Sequence, residues 1–199
     1  MRASLVIVGF FVLGVFLGVT GIVPCTVVEG NVSLYALFAL MFCVGVSIGN
    51  DPDMIKSFTK LPRRLVLLPV ATILGTWAAM ALVLLLTGRA AQECYAVASG
   101  FGYYSLSSIL ITGYMGAEVG TLALLANIAR ELLTFLAAPL LVKYFGPLSV
   151  ISAGGATTMD TTLSTVTRFA GKEFAVPSIF HGFVVDFLVP FMVTLFCCL

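Results

Sequence analysis

The stretch 154-GGATTMDTT-162 carries the residue types that could hold a cation or a proton inside a membrane. One carboxylate, Asp160, stands among glycines and threonines in a chain that is otherwise mostly apolar. An acid at the centre of a membrane helix costs about 2.5–3.5 kcal/mol on insertion scales, so it calls for a functional reason. Close packing of an unbroken helix would explain the glycines but not the acid. We therefore predict that Asp160 is part of a binding site.

The adjacent residues Gly154 and Gly155 predict a break in that helix. A break frees backbone groups, which a membrane protein tolerates only where they line a cavity or are buried in protein. Transporters place such breaks near the bilayer midplane, where half-helix ends bind substrate and ions. The threonines around the break are then expected to cap its second half or to contact the ligand. They are Thr157, Thr158, Thr161 and Thr162.

A second candidate acid, Glu131, lies near the middle of the apolar segment 117–145. Asn127 and Thr134 fall on the same helix face, and such a polar stripe must face protein or a water-filled cavity. Arg130 points about 100° away from Glu131, so the two are not automatically partners. The alternative is that Arg130 and Glu131 each pair with a neighbouring helix and only hold the packing together.

Two further segments carry polar residues at membrane depth. The stretch 99-SGFGYYSLSS-108 favours either a second broken or cavity-lining helix, with Ser105 as a candidate ligand, or close helix packing. Its GFG lacks the further glycine of a dinucleotide-binding loop. His181 and Asp186 lie in the last segment on different helix faces. Either one of them contacts the site or both lie at helix interfaces, and the sequence does not decide between the two.

Composition decides which elements must position these residues. The 199 residues are 60% hydrophobic and 10% charged, which is too apolar for the surface of a soluble domain. A membrane span needs about 20 apolar residues, and this window divides the chain into about seven segments. Their approximate bounds are 3–23, 31–49, 64–87, 91–112, 117–145, 147–168 and 174–198. The spans are too long for barrel strands, so we predict an all-α polytopic integral membrane protein with at least one discontinuous helix.

The positive charges predict the topology. If the segments alternate sides, Arg2, the basic residues of the 50–64 loop and the 168–172 stretch share one side of the membrane. The positive-inside rule then places the N-terminus in the cytoplasm and the C-terminus outside. The loop itself predicts a short helix that begins near Pro52, capped by Asn50 or Asp51. This helix either lies on the inner leaflet or belongs to a solvated loop.

Several functional classes are disfavoured. The five cysteines show no metal-binding spacing, so neither a metal nor a cofactor is expected. A net charge of +1 gives no attraction for nucleic acid. An enzyme is disfavoured because the chain has neither a HExxH motif nor a convincing catalytic serine or cysteine with its base. A carrier, a channel and a structural or assembly subunit remain, and acids at a broken helix favour the carrier.

Four stretches together resemble the LysO-type bacterial lysine exporters over nearly the whole chain. They are GYYSLSS at 102–108, LANIARELL at 125–133, GGATTMDTT at 154–162 and HGFVVDFLVPF at 181–191. The resemblance implies a secondary transporter that exports L-lysine across the inner membrane, with Glu131 and Asp160 as essential acids. It also implies a cation/proton-antiporter-like fold of inverted repeats with crossed discontinuous helices.

Members of that family are usually longer at the N-terminus. By this comparison residues 64–199 form the second inverted repeat and residues 1–49 the end of the first, within a single transmembrane transporter domain. The resulting expectation is a small hydrophobic partner subunit that supplies roughly three helices of the repeat, with a higher oligomer as a further expectation.

Lysine is a cation, and its export against an inside-negative potential costs about 2.3 kcal/mol per 100 mV. An inbound proton cancels that cost, and a carboxylate that holds either the ammonium or a proton couples the two fluxes. We expect this role for Asp160 first, with Glu131 as a second acid or amine ligand. Asn127 and the threonines are expected to bond the amino-acid backbone. A carrier for another cationic solute is the alternative.

Overall fold

The computed structural model describes residues 52–199 continuously and, before them, isolated positions only. These positions are Leu13, Phe16, Leu17, Val19, Thr20, Tyr35, Ala39, Phe42, Cys43, Val46, Gly49 and Asn50. The chain divides into two compact units, Met1–Cys43 and Val44–Leu199. Most of the predicted segments 3–23 and 31–49 therefore lies outside the described residues, and the fold below is that of the second unit.

Within residues 52–199 every regular element is helical. The order is α1 (Pro52–Thr59), α2 (Arg63–Val66), α3 (Leu68–Thr87), α4 (Ala91–Ala98), α5 (Tyr104–Met115), α6 (Ala117–Phe145), α7 (Pro147–Gly154), a 3₁₀ turn (Gly155–Met159), α8 (Leu163–Phe169), a second 3₁₀ turn (Lys172–Phe174) and α9 (Ala175–Cys198).

Three helical stretches in the described part are long and apolar enough to cross a membrane. They are Leu68–Thr87, Ala117–Phe145 and Lys172–Cys198. They coincide with three of the segments expected from hydropathy, because about 20 apolar residues suffice for a span whatever the tertiary packing. The protein is thus a helical membrane protein.

The segments 91–112 and 147–168 are each interrupted. The first divides into α4 and α5 around residues 99–103, and the second divides into α7 and α8 around the 3₁₀ turn and residues 160–162. A break was expected at Gly154 and Gly155, and the structure has one there. In the first segment, where a break and close packing were both open, the helix breaks.

The two breaks contact each other through their backbones. The Ala156 N–H donates a hydrogen bond to the Phe101 carbonyl at 2.9 Å. Gly155 has a φ of +65°, and a Cβ there would overlap the same carbonyl oxygen. Gly102 has a φ of +96° and faces the Gly154 carbonyl, which a Cβ would approach to 3.1 Å. The positive φ favours glycine at both positions, and at Gly155 the space also excludes a Cβ.

The short helix predicted in the 50–64 loop is present as α1 and begins at Pro52. Its Phe58 packs edge to face on Phe180 of α9, with the ring centroids 5.3 Å apart. Ile55 on the same helix is 43% exposed. Contact with α9 therefore holds α1 at the end of the bundle, and its placement on the inner leaflet stays a prediction.

Gly155→Ala is expected to lower the melting temperature of the purified protein in detergent. Alanine at a positive φ destabilises by more than about 1 kcal/mol, and the added methyl group also meets the Phe101 carbonyl. Gly113→Ala is the matched control, because Gly113 lies in α5 and has no atom near the position of its Cβ. Equal melting of the two variants would contradict the observed contact between the breaks.

Candidate functional site

Asn127 of α6 holds the first break. Its Oδ1 accepts the Gly102 N–H at 2.7 Å, while Nδ2 lies 2.9 Å from the Ala123 carbonyl and 3.3 Å from the Val97 carbonyl. The side chain is only 3% exposed. The amide therefore satisfies backbone groups that the end of α4 leaves free. In this conformation the amide oxygen and nitrogen of Asn127 both bond to the protein backbone. Its expected contact with an amino acid stays a prediction.

Arg130, three residues further along α6, holds the second break. Its Nε donates to the Ala153 carbonyl at 2.9 Å and its Nη2 to the Ser152 carbonyl at 3.0 Å. Both carbonyls belong to the last turn of α7, which is the negative end of that helix dipole. The guanidinium also lies over the Phe101 ring, 5.9 Å from its centroid. Arg130 thus contacts both breaks.

His181 connects α9 to the second break and to α3. Its Nδ1 lies 3.2 Å from the Thr158 hydroxyl and its Nε2 2.9 Å from the Thr72 hydroxyl. The ring is fully buried. The Ser178 hydroxyl donates to the Thr158 carbonyl at 2.9 Å, which adds a second link between α9 and the turn. With both ring nitrogens engaged, His181 is a structural residue in this arrangement.

The threonines expected to contact a ligand divide into two groups. Thr157, Thr158 and Thr162 are buried, and their hydroxyls bond within or beside the turn; the Thr157 hydroxyl lies 2.9 Å from the Gly154 carbonyl and 3.1 Å from the Thr162 hydroxyl. Thr161 is exposed and Ser105 is half-buried. Of the hydroxyl residues predicted to bind a ligand, these last two are the ones whose hydroxyl has no partner among the described residues, so they are the better candidates.

Asp160 follows the 3₁₀ turn, is exposed and accepts the Thr161 N–H at 2.5 Å. Asp186 of α9 is only 8% exposed, and its charge interacts with that of Asp160. Gly182, one helical turn before Asp186, packs on the backbone of Met159 and Ala156, which brings this face of α9 against the turn. Both carboxylates also act electrostatically on Tyr103. Tyr103, Asp160 and Asp186 are thus near enough to one another to interact electrostatically.

Glu131 is half-buried on α6 and forms no hydrogen bond or ion pair with a described residue. The pairing of Glu131 with Asp160 therefore stays a prediction, while Asp186, whose contact with the site was left open, is the acid that interacts electrostatically with Asp160. Among the described residues no group of histidine, cysteine and acidic side chains is arranged to hold a metal ion.

The protein is thus a helical membrane protein in which two interrupted helices contact each other. Arg130, Asp160 and Asp186 provide charged groups near that contact. The chain belongs to the lysine exporter LysO family, whose model matches residues 8–197. The family resemblance expected from the sequence is confirmed.

Two curated relatives give the extent of the similarity. The lysine exporter LysO of Escherichia coli (strain K12) is 31% identical over 193 residues, which cover 97% of this chain and 64% of that protein. A putative lysine exporter of Haemophilus influenzae is 29% identical over 164 residues, covering 82% of this chain and 83% of the relative. The chain thus spans less than two thirds of the length of the Escherichia coli protein. No solved structure matches it.

Asn127→Ala is expected to destabilise the protein by about 1–3 kcal/mol, because it leaves the buried Gly102 N–H without its acceptor. Thr121→Ala is the control on the same helix, since the exposed Thr121 hydroxyl bonds only to the carbonyl one turn back. Thermal unfolding in detergent measures both variants. If Asn127→Ala melts like Thr121→Ala but binds lysine poorly, the amide is a substrate ligand instead.

Proposed function

We propose that this protein exports L-lysine across the bacterial inner membrane in exchange for protons. The observation that carries the proposal is the contact of two helix breaks beside Asp160 and Asp186, in a chain of the lysine exporter family. Half-helix ends inside a membrane supply the partial charges and freed carbonyls that bind substrates and ions in secondary transporters.

The neighbouring carboxylates supply the coupling. Asp160 is accessible and Asp186 is buried, and within the described residues neither has a cationic partner. Two like charges close together repel, and a bound ammonium or a proton on one of them relieves that repulsion. The lysine ammonium and the proton can thus occupy the same carboxylate site, and once one of them is bound the other is no longer attracted. This competition links outward movement of lysine to inward movement of a proton.

The remaining polar ligands follow from the geometry. The hydroxyls of Thr161 and Ser105 have no protein partner within the described residues and are proposed to contact the substrate amine. Glu131 is proposed as a further acid on the substrate path. The buried residues Thr157, Thr158 and Asn127 keep the breaks in shape, and rearrangement of their hydrogen bonds is the route by which they could contact substrate.

The wider architecture is part of the same proposal. The contact between two interrupted helices supports a cation/proton-antiporter-like fold, with residues 64–199 as one inverted repeat and residues 1–49 as the end of another. Alternating access then comes from rocking of one bundle against the other. A cytoplasmic N-terminus, an outside C-terminus, a small partner subunit and a higher oligomer all stay predictions.

An assembly subunit is the competing function, in which the acids would only hold helices together. Acids with that role are paired, because an unpaired charge in the membrane is costly. In the described part of the chain Glu131, Asp160 and Asp186 form no ion pair, whereas the acids at the helix ends, Glu93 and Glu118, both bind Arg89. This contrast favours a carrier, whether for lysine or for another cationic solute.

Asp160→Asn and Asp186→Asn are each expected to reduce lysine efflux about 10- to 100-fold, the loss of one charge-assisted contact of about 1.5–3 kcal/mol. Efflux of radiolabelled lysine from loaded cells is measured together with the abundance of the protein in the membrane. Glu131→Gln tests the third acid in the same way. Glu118→Gln is the control, because Glu118 lies in the first turn of α6 and is exposed. Efflux at the wild-type level from all three well-expressed variants would contradict the proposed site.

Lysine and proton movements are expected to be coupled in proteoliposomes that contain the protein with any subunit that copurifies. An imposed pH gradient should drive lysine uptake or release, and a lysine gradient should move protons the opposite way, because exchange cancels the charge moved. Vesicles with Asp160→Asn provide the control for leak. Lysine flux that follows the voltage and ignores the pH gradient would show a uniporter.

A further inference from the structure

An open groove of about 810 Å³ lies between α3 and α6, and Glu131, Asp160 and Asp186 are not among the residues that line it. Its wall is made mostly of small side chains, among them Ala71, Gly75 and Ala79 on α3 and Ala126 and Ala129 on α6. Sites for small molecules typically enclose about 300–1,000 Å³ and combine apolar walls with a few polar groups. The groove is open on one side, and its lining is of this kind.

Arg130 is the charged side chain of this groove, and within the described residues that line it no other carries a charge. Its hydrogen bonds go to neutral acceptors only: the carbonyls of Ser152 and Ala153 and, at 3.4 Å, the Thr76 hydroxyl. A guanidinium has five N–H donors, so two remain for a ligand. A cation without a counter-charge at membrane depth is costly, and an anion in the groove would offset that cost.

We propose that the groove binds the carboxylate of the transported amino acid through Arg130 and Thr76. The inference rests on the proposed export function and extends it to substrate specificity. A planar guanidinium can donate two parallel hydrogen bonds to one carboxylate, which is a bidentate pair. The Thr76 hydroxyl, which lies beside Nη1, can donate a further hydrogen bond to the same carboxylate. The site then selects compounds that carry a carboxylate as well as a cationic side chain, and it rejects simple diamines.

A transmembrane helix is the other candidate for the groove. Ala71, Gly75 and Ala79 recur every four residues on α3, a spacing at which helices pack closely. An apolar helix, however, would cover Arg130 without supplying a negative charge. The charge at the floor of the groove therefore favours a small anionic group as the occupant.

Competition binding to the purified full-length protein in detergent tests the inference. Radiolabelled L-lysine is the probe, and unlabelled L-lysine, L-lysinamide and 1,5-diaminopentane are the competitors. Both compounds without a carboxylate are expected to compete at least about tenfold more weakly than lysine, because they lose a hydrogen bond to a charged group. Equal competition by lysine and lysinamide overturns the inference.

Two variants separate binding from folding. Arg130→Lys keeps the charge but loses the bidentate donor as well as hydrogen bonds to the end of α7, so it should weaken lysine binding about tenfold more than it weakens lysinamide binding. A purely structural role would weaken both alike. Gly75→Leu fills the groove without a clash at its Cβ, and Gly113→Leu is its control, since both glycines have open space around that position. Gly75→Leu is expected to reduce lysine binding, while Gly113→Leu should bind like the wild type.

The remaining outcomes are also decisive. If Gly75→Leu binds lysine normally but changes the size of the particle in detergent, a helix covers the groove and the inference is wrong. If lysine binds in preference to lysinamide but is not exported by cells, the carboxylate site stands and the proposed export function fails. If lysine does not bind at all, both are overturned.

Discussion

Two helices that stop inside a membrane leave backbone N–H and carbonyl groups without partners, and the rest of this structure follows from how those groups are satisfied. The breaks share one direct hydrogen bond, from Ala156 to Phe101. Asn127 and Arg130, three residues apart on α6, bond to further backbone groups, one residue at each break. A single face of one continuous helix therefore fixes the position of both interrupted helices. α9 completes the arrangement from another side through Ser178, His181 and the close approach at Gly182.

Because continuous helices support the interrupted ones, the polar residues differ in burial and in hydrogen bonding. Those that support the breaks, such as Asn127 and His181, are buried and fully bonded to protein. Those proposed to act on a substrate, such as Asp160 and Thr161, are accessible and have few bonds. Arg130 is the exception, because it bonds to the end of α7 and is also proposed to bind the substrate carboxylate. The proposals otherwise assign these two tasks to neighbouring residues.

The sequence predicted what depends on local properties. The length of the apolar segment 117–145 predicted the position of α6, and the adjacent glycines predicted the break at 154–155. Both features depend only on residues within a single helix. The sequence did not predict that Asp186 lies beside Asp160 or that Arg130 binds the end of α7, since both depend on which helices pack together. Thr157 was expected to contact a ligand, yet its hydroxyl bonds to the Gly154 carbonyl. A threonine can bond its own backbone or a ligand, and composition does not distinguish the two.

The charges around the breaks are complementary to a cationic amino acid when the proposals are taken together. Arg130 presents a positive charge to a groove on one side of α6 and α7, and Asp160 and Asp186 present negative charges where the turn meets α9. L-lysine carries one carboxylate and two ammonium groups, so each of its charges has an opposite charge to face. A simple diamine would leave Arg130 unpaired, and a neutral amino acid would lack the side-chain cation that relieves the repulsion between the acids. Under these proposals, selection would come from charges that are neutralised together only by a substrate carrying both a carboxylate and a cationic side chain.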